Sequence, residues 1–404
     1  MCRTPSIRTI LCLALMGPLA VFGGLAGARG AEKELAYRTE LSTILTGPRE
    51  SLYFQSRGAV IPDSPQRIIV TTQLTDRFGS HGYRDVFQIE STDGGKSWSS
   101  PTPIETLRRT KLENGDEVVA GDLCPQWHAA TKVVLSTGKT FTFRGGTKED
   151  RGAEQVSYCV YSPKSGAWGK LQIVEMPATD HAGKAILAPN AGCHQRVDLP
   201  SGDILLPIRY TAEKLKQPYT TIVALCRFDG EKLTYVKHGS EFSIPVGRGL
   251  YEPSVTRFGE RYFLTMRGDQ SAFVARSQDG LDYEPFVEWK YDDGAVLGSY
   301  NTQQHWVSHG NGLYLCYTRR GANNDHVFRH RAPLFIAKID PERLCVLRAT
   351  EQILIPENHA ALGNFGVVDI SPTETWIIES EHLVSGKRQH EPNKVFAAKL
   401  YWRE

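Results

Sequence analysis

Arginine, histidine and tyrosine side chains stand in this sequence where they can act together. Arg57, Arg267, Arg329 and Arg331 each lie in or beside a short apolar run. A guanidinium fork matches a carboxylate bidentately and stays charged at any physiological pH, so several of them on rigid strands make a pocket for a carboxylate-bearing sugar. A single arginine is more often a surface charge, and the reading rests on convergence. His128, His194, Tyr251 and His305 fall at the heads of apolar strands, with His81 and Tyr83 in a nearby loop. Removing the proton beside a uronate carboxylate takes a neutralising cation, a base such as His or Tyr, and an acid for the leaving oxygen. Each imidazole alone is more often a satisfied buried residue. His305, Cys316, His326 and His330 offer ligand types suited to tetrahedral zinc, but their spacing matches no zinc motif. Neither metal nor cofactor is expected.

Residues so far apart need a scaffold that gathers them. A hairpin signature recurs six times, starting at Gly58, Thr131, Gln195, Pro253, His305 and Gly366. Each copy is an apolar strand, a turn of Gly, Pro, Asp or Ser, and a second apolar strand. The spacing leaves room for two further strands per unit. One such sheet cannot bury both faces, whereas radial stacking covers them and leaves only short edges. The sequence predicts an all-β, six-bladed propeller of four-stranded antiparallel blades. No stretch holds a 3.6-residue apolar period for three turns, so long helices are not expected. The last unit is one strand short, and Glu34 to Thr46 reads as the N-terminal strand that closes the ring. The heads of the innermost strands then face the central funnel, where ligands sit in this architecture.

The run Ser91-Thr92-Asp93-Gly94-Gly95-Lys96-Ser97-Trp98 fits the Asp-box pattern Ser-x-Asp-x-Gly-x-Ser/Thr-Trp in full. Ser277 to Tyr283 and Ser162 to Trp168 look like degraded copies. In such a turn the Asp carboxylate caps backbone N–H groups and the Trp packs between blades, so the motif is structural. Together these features resemble the sialidase superfamily, whose hallmark is this Asp-box (BNR) repeat. The resemblance implies an arginine clamp for the sugar carboxylate, a Tyr nucleophile with a Glu, and an Asp acid/base. By motif, Arg57 takes the place of the first arginine, Glu252 and Arg267 those of the Glu and second arginine, and Arg329 or Arg331 that of the third. Asp122 resembles the family's substrate-facing Asp, and His305 is a further candidate substrate contact. The nucleophile's place reads Ala361 to Gly366, without tyrosine, and the acid/base loop leaves Asp85 or Asp76 for that role. The leading expectation is a sialidase-like glycoside hydrolase of terminal acidic sugars, with Glu252 as base or electrostatic partner. Tyr251 with Arg267 is also similar to the pairing in propeller polysaccharide lyases, which implies β-elimination with Tyr251, His194 or His128 as base. A propeller that binds glycans without turnover is the third alternative.

Arg3 and Arg8 precede an apolar stretch from Ile10 to Val21 and small residues ending Ala26-Gly27-Ala28. That is the pattern of a signal peptide over residues 1–28, leaving residues 29–404 as a single exported domain, secreted or periplasmic. The apolar stretch, broken by Gly17 and Pro18, is too short to span a bilayer. With 47 Lys and Arg against 45 Asp and Glu, no charge field for nucleic acid or a membrane surface is expected. The expected partner is an acidic glycan or polysaccharide, bound by a monomer. Of eight cysteines, Cys2 and Cys12 lie in the leader, and the other six are widely and irregularly spaced. They read as buried thiols with a bridge or two rather than a disulfide scaffold.

Overall fold

Apolar runs flanked by turn residues become strands throughout. A computed structural model of the chain describes residues 36–77, 82–213, 218–383 and 387–403. The predicted leader, Ser80 and His81 lie outside the described residues. The unit Ala36–Glu404 is compact, and among the described residues no helix is long and apolar enough to cross a membrane. Strand Leu52–Ile61 is buried at nine of its ten positions, as suits a strand covered on both faces.

Six antiparallel sheets follow one another along the chain. Leu52–Ile61, Arg67–Thr75, Tyr83–Ser91 and Thr102–Pro103 form the first. The second is built on Glu117–His128, Val133–Arg144 and Val156–Ser162, and the third on Ile204–Thr211, Tyr219–Phe228 and Leu233–His238. Tyr251–Phe258, Arg261–Arg267, Ala272–Ser277 and Val287–Glu288 make the fourth, and His305–His309, Gly312–Tyr317 and Leu334–Asp340 the body of the fifth. In the sixth, Gly366–Ser371, Glu374–Ser380 and Lys394–Trp402 are completed by Tyr37–Thr46. That pairing runs from Tyr37 opposite Trp402 to Thr46 opposite Lys394, so the N-terminal strand closes the ring as expected.

The expectation of six equivalent blades is corrected to five. In the third sheet the innermost strand is broken into Leu187–Asn190 and Val197–Asp198. The segment between them bonds sideways instead of to its own sheet. Cys193 N–H donates to Asp122 O (3.3 Å) in the second sheet, and Gln195 O accepts from Val255 N–H (3.0 Å) in the fourth.

Apolar cores lie between neighbouring sheets rather than within them. One joins Ala59 and Ile69 to Val134 and Trp168 of the next sheet, and another joins Ile68 and Val70 of the first sheet to Trp376 and Ile378 of the last. The Ser91–Trp98 turn folds around Asp93, whose carboxylate accepts from Lys96 N–H and Ser97 N–H (both 3.0 Å) and Ser97 O–H (2.6 Å). Gly95 has φ 76°, and a Cβ there would sit 2.2 Å from the Trp376 ring, so only glycine fits. Asp93 is thus spent on the turn. The six cysteines beyond the leader are all buried and unbridged.

Candidate functional site

A shared backbone irregularity aims side chains at the mouth of the ring. Gln55, Asp122, Cys193 and Glu252 all have positive φ (56°, 54°, 61° and 46°) and stand near the heads of the innermost segments of four successive sheets. In three of these the strand register slips there, between Phe54 and Arg57, Gly121 and Cys124, and Tyr251 and Ser254. Such bulges interrupt the strand alternation and re-aim one residue, and left-handed backbone at non-glycine residues is strain that the surrounding structure must hold. All four residues line one cavity of about 270 Å³.

Every sheet or its loops contributes to this cavity, which presents seven cationic and four acidic side chains: Lys139, Arg151, Arg209, Arg248, Arg267, Arg329 and Arg331 against Asp122, Glu149, Glu154 and Glu252. On one wall the buried Arg267 ion-pairs with Glu252 and donates to Tyr251 Oη (3.1 Å) and Asn301 Oδ1 (2.9 Å). Tyr251 donates to Asp269 Oδ1 (2.7 Å), which also holds Arg248. Burial, opposed by Arg267 and Arg248, pushes the Tyr251 phenol up to about 12. Arg331 is 7% exposed and, among the described residues, its guanidinium donates to Asn301 O (2.7 and 3.2 Å). Burial, then the Arg267 charge, drives its guanidinium down to about 10. Arg329, exposed at the rim, is lowered by burial of its inner part and by Arg267 and Arg248. Burial and neighbouring positive charge thus both disfavour the charged forms of Arg329 and Arg331.

Asp122 also lines the cavity, accepting from Tyr83 O–H (3.0 Å) with Lys139 Nζ at 3.8 Å. Burial raises its pKa, Lys139 and Arg57 pull it down, and Glu252 adds to the rise. Lys139 and Arg209 both pair with the buried Glu154, which Asn190 also contacts (3.3 Å). His382 and Asn364 complete the lining. Both His382 ring nitrogens, Asn364 Nδ2 and Arg267 Nε are buried and have no hydrogen-bond partner among the described residues. Buried donors left open at a cavity wall are groups a polar ligand can satisfy. His382 is stacked on Phe54 (4.5 Å) and held neutral by burial and by Arg331 and Arg329, at about 3.

The structure gathers Tyr251, Glu252, Arg267, Arg329, Arg331 and Asp122 at this cavity. It takes others away. Arg57 is buried beneath the floor, bonded to Gln55 Oε1 (2.6 Å), Gln303 Oε1 (3.1 Å) and the carbonyls of Phe365 and Leu123. With its donors spent on these groups and no place in the cavity lining, it is no substrate clamp. His305, between Ser254 Oγ (2.8 Å) and Gln303 Oε1 (3.1 Å), is also buried outside the lining. So is His194, whose Nε2 meets Thr137 Oγ1 (3.0 Å) and which burial and Arg196 hold at about 3. His128 is fixed by Thr131 Oγ1 (2.7 Å) and Gly202 O (2.9 Å). Asp85 caps Arg109 N–H (2.9 Å) and pairs with Arg108, and Asp76 pairs with Arg84, both away from the cavity. Nor do the four zinc candidates meet. Cys316 is in an apolar core, His326 faces Glu357, and His330 faces Tyr300 and Asp325.

Arg248, Asn301, Lys139, Glu154, Arg209 and His382 were not expected. Arg209 left a trace, since it interrupts the apolar strand Ile204–Thr211, and a charge in such a run is buried and paired. A cavity of about 390 Å³ opens where Trp127, Trp306 and Val367 meet, but its one lining arginine, Arg196, is held by Asp198, Leu135 O and Gln126 O.

Under the cavity, Glu379 is fully buried and accepts from the N–H groups of Gly363, Asn364 and Ser380. Burial lifts its pKa to about 7. The folded chain therefore keeps a proton that the unfolded chain releases near its ordinary value of 4.5, so this group's contribution to stability is lost as pH rises through about 7. Glu379→Gln is expected to flatten that loss between pH 5 and 8, worth roughly 2–3 kcal/mol. Urea unfolding at several pH values measures it, and an unchanged slope would contradict the assignment.

No family model matches the sequence, and no curated protein matches it. Solved structures do. Trypanosoma rangeli sialidase is 13% identical, with TM-score 0.60 over 90% of this chain and 60% of that one. A Hadza microbial sialidase is 12% identical, with TM-score 0.54 over 86% of this chain and 65% of that one. A protein of unknown function from Dyadobacter fermentans is 15% identical, with TM-score 0.59 over 91% of this chain and all of the other. This chain spans less than two thirds of the length of either sialidase. At these identities the likeness is one of architecture, and the chain has the β-propeller fold of the sialidases.

Proposed function

We propose that this protein is a glycoside hydrolase that binds a carboxylate-bearing sugar in the cavity and cleaves its glycosidic bond. The observation that carries the reading is that Arg267, Arg329 and Arg331 line one cavity together with the carboxyl groups of Asp122 and Glu252. The sugar carboxylate docks on the arginines and replaces mutual repulsion by bidentate pairing. Asp122, whose pKa burial raises, is the carboxyl group placed to donate a proton to the glycosidic oxygen as that bond breaks. Glu252, held by Arg267, stabilises the positive charge that develops at the sugar and takes the proton of the incoming water. The likeness to sialidases supports glycosidase chemistry on this fold. Sialosides and oligosaccharides ending in a uronate are the test substrates. Release of the acidic sugar, with neutral glycosides untouched, is the expected result. Turnover of neutral glycosides alone would overturn the reading, and products with the absorbance of an unsaturated uronate would show β-elimination instead. We also propose export with removal of residues 1–28, so that the exported protein begins near Arg29, as N-terminal sequencing would show.

A further inference from the structure

Beside the arginine wall, three side chains from two loops converge on one point. His326 Nε2 lies 3.3 Å from Glu357 Oε2, and His359 Nδ1 lies 3.7 Å from Glu357 Oε1. One ligand atom from each of the three falls within 4.8 Å of the others. His359 is held at φ 69°, outside the usual range of a non-glycine residue. The two rings meet at 64° with centroids 5.7 Å apart, so their edges can aim at a common centre.

We propose that His326, Glu357 and His359 form a binding site for a zinc-class divalent cation. Two imidazoles and a carboxylate are borderline donors that suit zinc, whereas calcium and magnesium take oxygen ligands. Metal–ligand bonds of about 2.0–2.2 Å place tetrahedral ligands roughly 3.4 Å apart, close to the separations found here. Three protein ligands with exposed imidazoles leave a fourth position for water. A second group, His181, His238 and Glu241, is less suited. Its rings are stacked nearly parallel at 4.1 Å, and an ion in the plane of one ring cannot lie in the plane of the other. His238 also has both nitrogens engaged, by Tyr235 and Glu241.

The site's position gives the cation a role. His326 begins the turn that carries Phe328, Arg329 and Arg331 into the cavity, and Glu357 and His359 begin the segment that leads to Asn364. A cation here pins one loop to the other and fixes the arginines at the mouth. The binding site itself stands whether or not the cavity takes an acidic sugar.

Zinc chloride titrated calorimetrically into the chelator-treated full chain tests it. One zinc per chain is expected, with affinity falling at least tenfold in His326→Gln and in His359→Ala and unchanged in His181→Ala. His326 is exposed, so His326→Gln leaves the fold intact even if His359→Ala does not. Zinc should also slow amide hydrogen exchange in residues 326–331. No zinc binding, binding unaffected by His326→Gln, loss in His181→Ala instead, or equal binding of calcium would each overturn the proposal.

Discussion

Replacing Arg331 with methionine is expected to raise the melting temperature while lowering affinity for a carboxylate-bearing sugar on the order of a hundredfold. The two effects have one cause. Arg331 is a buried cation whose guanidinium, among the described residues, donates to a single carbonyl, with Arg267 nearby and its pKa down from 12.5 to about 10. Each pKa unit is worth about 1.4 kcal/mol, so keeping it charged in the empty protein costs on the order of 3 kcal/mol. The unfolded chain holds the proton more tightly, so the penalty is present at every pH below about 10 and lifts only above it. Methionine fills a similar volume without the charge and removes the penalty, less the bond lost to Asn301 O. The same change deletes one of the three guanidinium groups, with Arg267 and Arg329, that the carboxylate would meet in the cavity. Thermal unfolding with and without an acidic monosaccharide measures both effects at once. A variant that melts lower and still binds as well as the parent would remove Arg331 from the clamp.

Asp122→Asn is expected to lower kcat/KM on an acidic glycoside with a sugar leaving group by about 10²–10⁴-fold. On an aryl glycoside with an acidic phenol the loss should be slight, because a good leaving group departs without a proton. Burial, with Glu252 adding to it, raises the Asp122 pKa, and a general acid works only while protonated. Activity of the parent should therefore fall on an alkaline limb displaced upward from an ordinary aspartate, and the variant should lose this limb. Equal losses on both substrates would make Asp122 a structural residue, held by Tyr83 and Lys139 for the sake of the fold.

The fold was largely readable because it is written in repeated local signals. The hairpins at Gly58, Pro253, His305 and Gly366, the Asp93 turn and the spare strand before Thr46 are short-range patterns that appear where their residues imply, whereas Thr131 to Phe143 does not turn at Ser136-Thr137-Gly138 but runs through it as one strand, Val133–Arg144. The site was only half readable, and the bulges are the reason. Alternation along a strand assumes that neighbours point to opposite faces, and one inserted residue reverses the assignment. At Gln55 it sends Gln55 into the cavity and leaves Arg57 beneath it. Cys193 lines the cavity while the adjacent His194 is buried beside Thr137, in the break between Leu187–Asn190 and Val197–Asp198. Glu252 and Asp122, singled out by motif, both line the cavity, but nothing in the sequence reports that each stands in left-handed backbone. Arg248, Asn301 and His382 arrive from loops, whose course depends on tertiary contacts. The broken third sheet was hidden too, since Gln195 to Pro207 reads as an ordinary hairpin until its neighbours compete for its hydrogen bonds.

The pairing of Tyr37–Thr46 with Lys394–Trp402 sets an order of events during synthesis. The first of the described strands finds its partner only when the last of them has been made. Until then it waits, and the sheet that covers Ile68 and Val70 of the first hairpin is missing. Pairings so distant along the chain are slow to form and leave apolar edges open meanwhile. A stop codon within the last dozen residues would therefore do damage out of proportion to its length. It would leave Tyr37–Thr46 without a partner, Glu374–Ser380 paired on one side only, with Gly366–Ser371, and the ring unsealed.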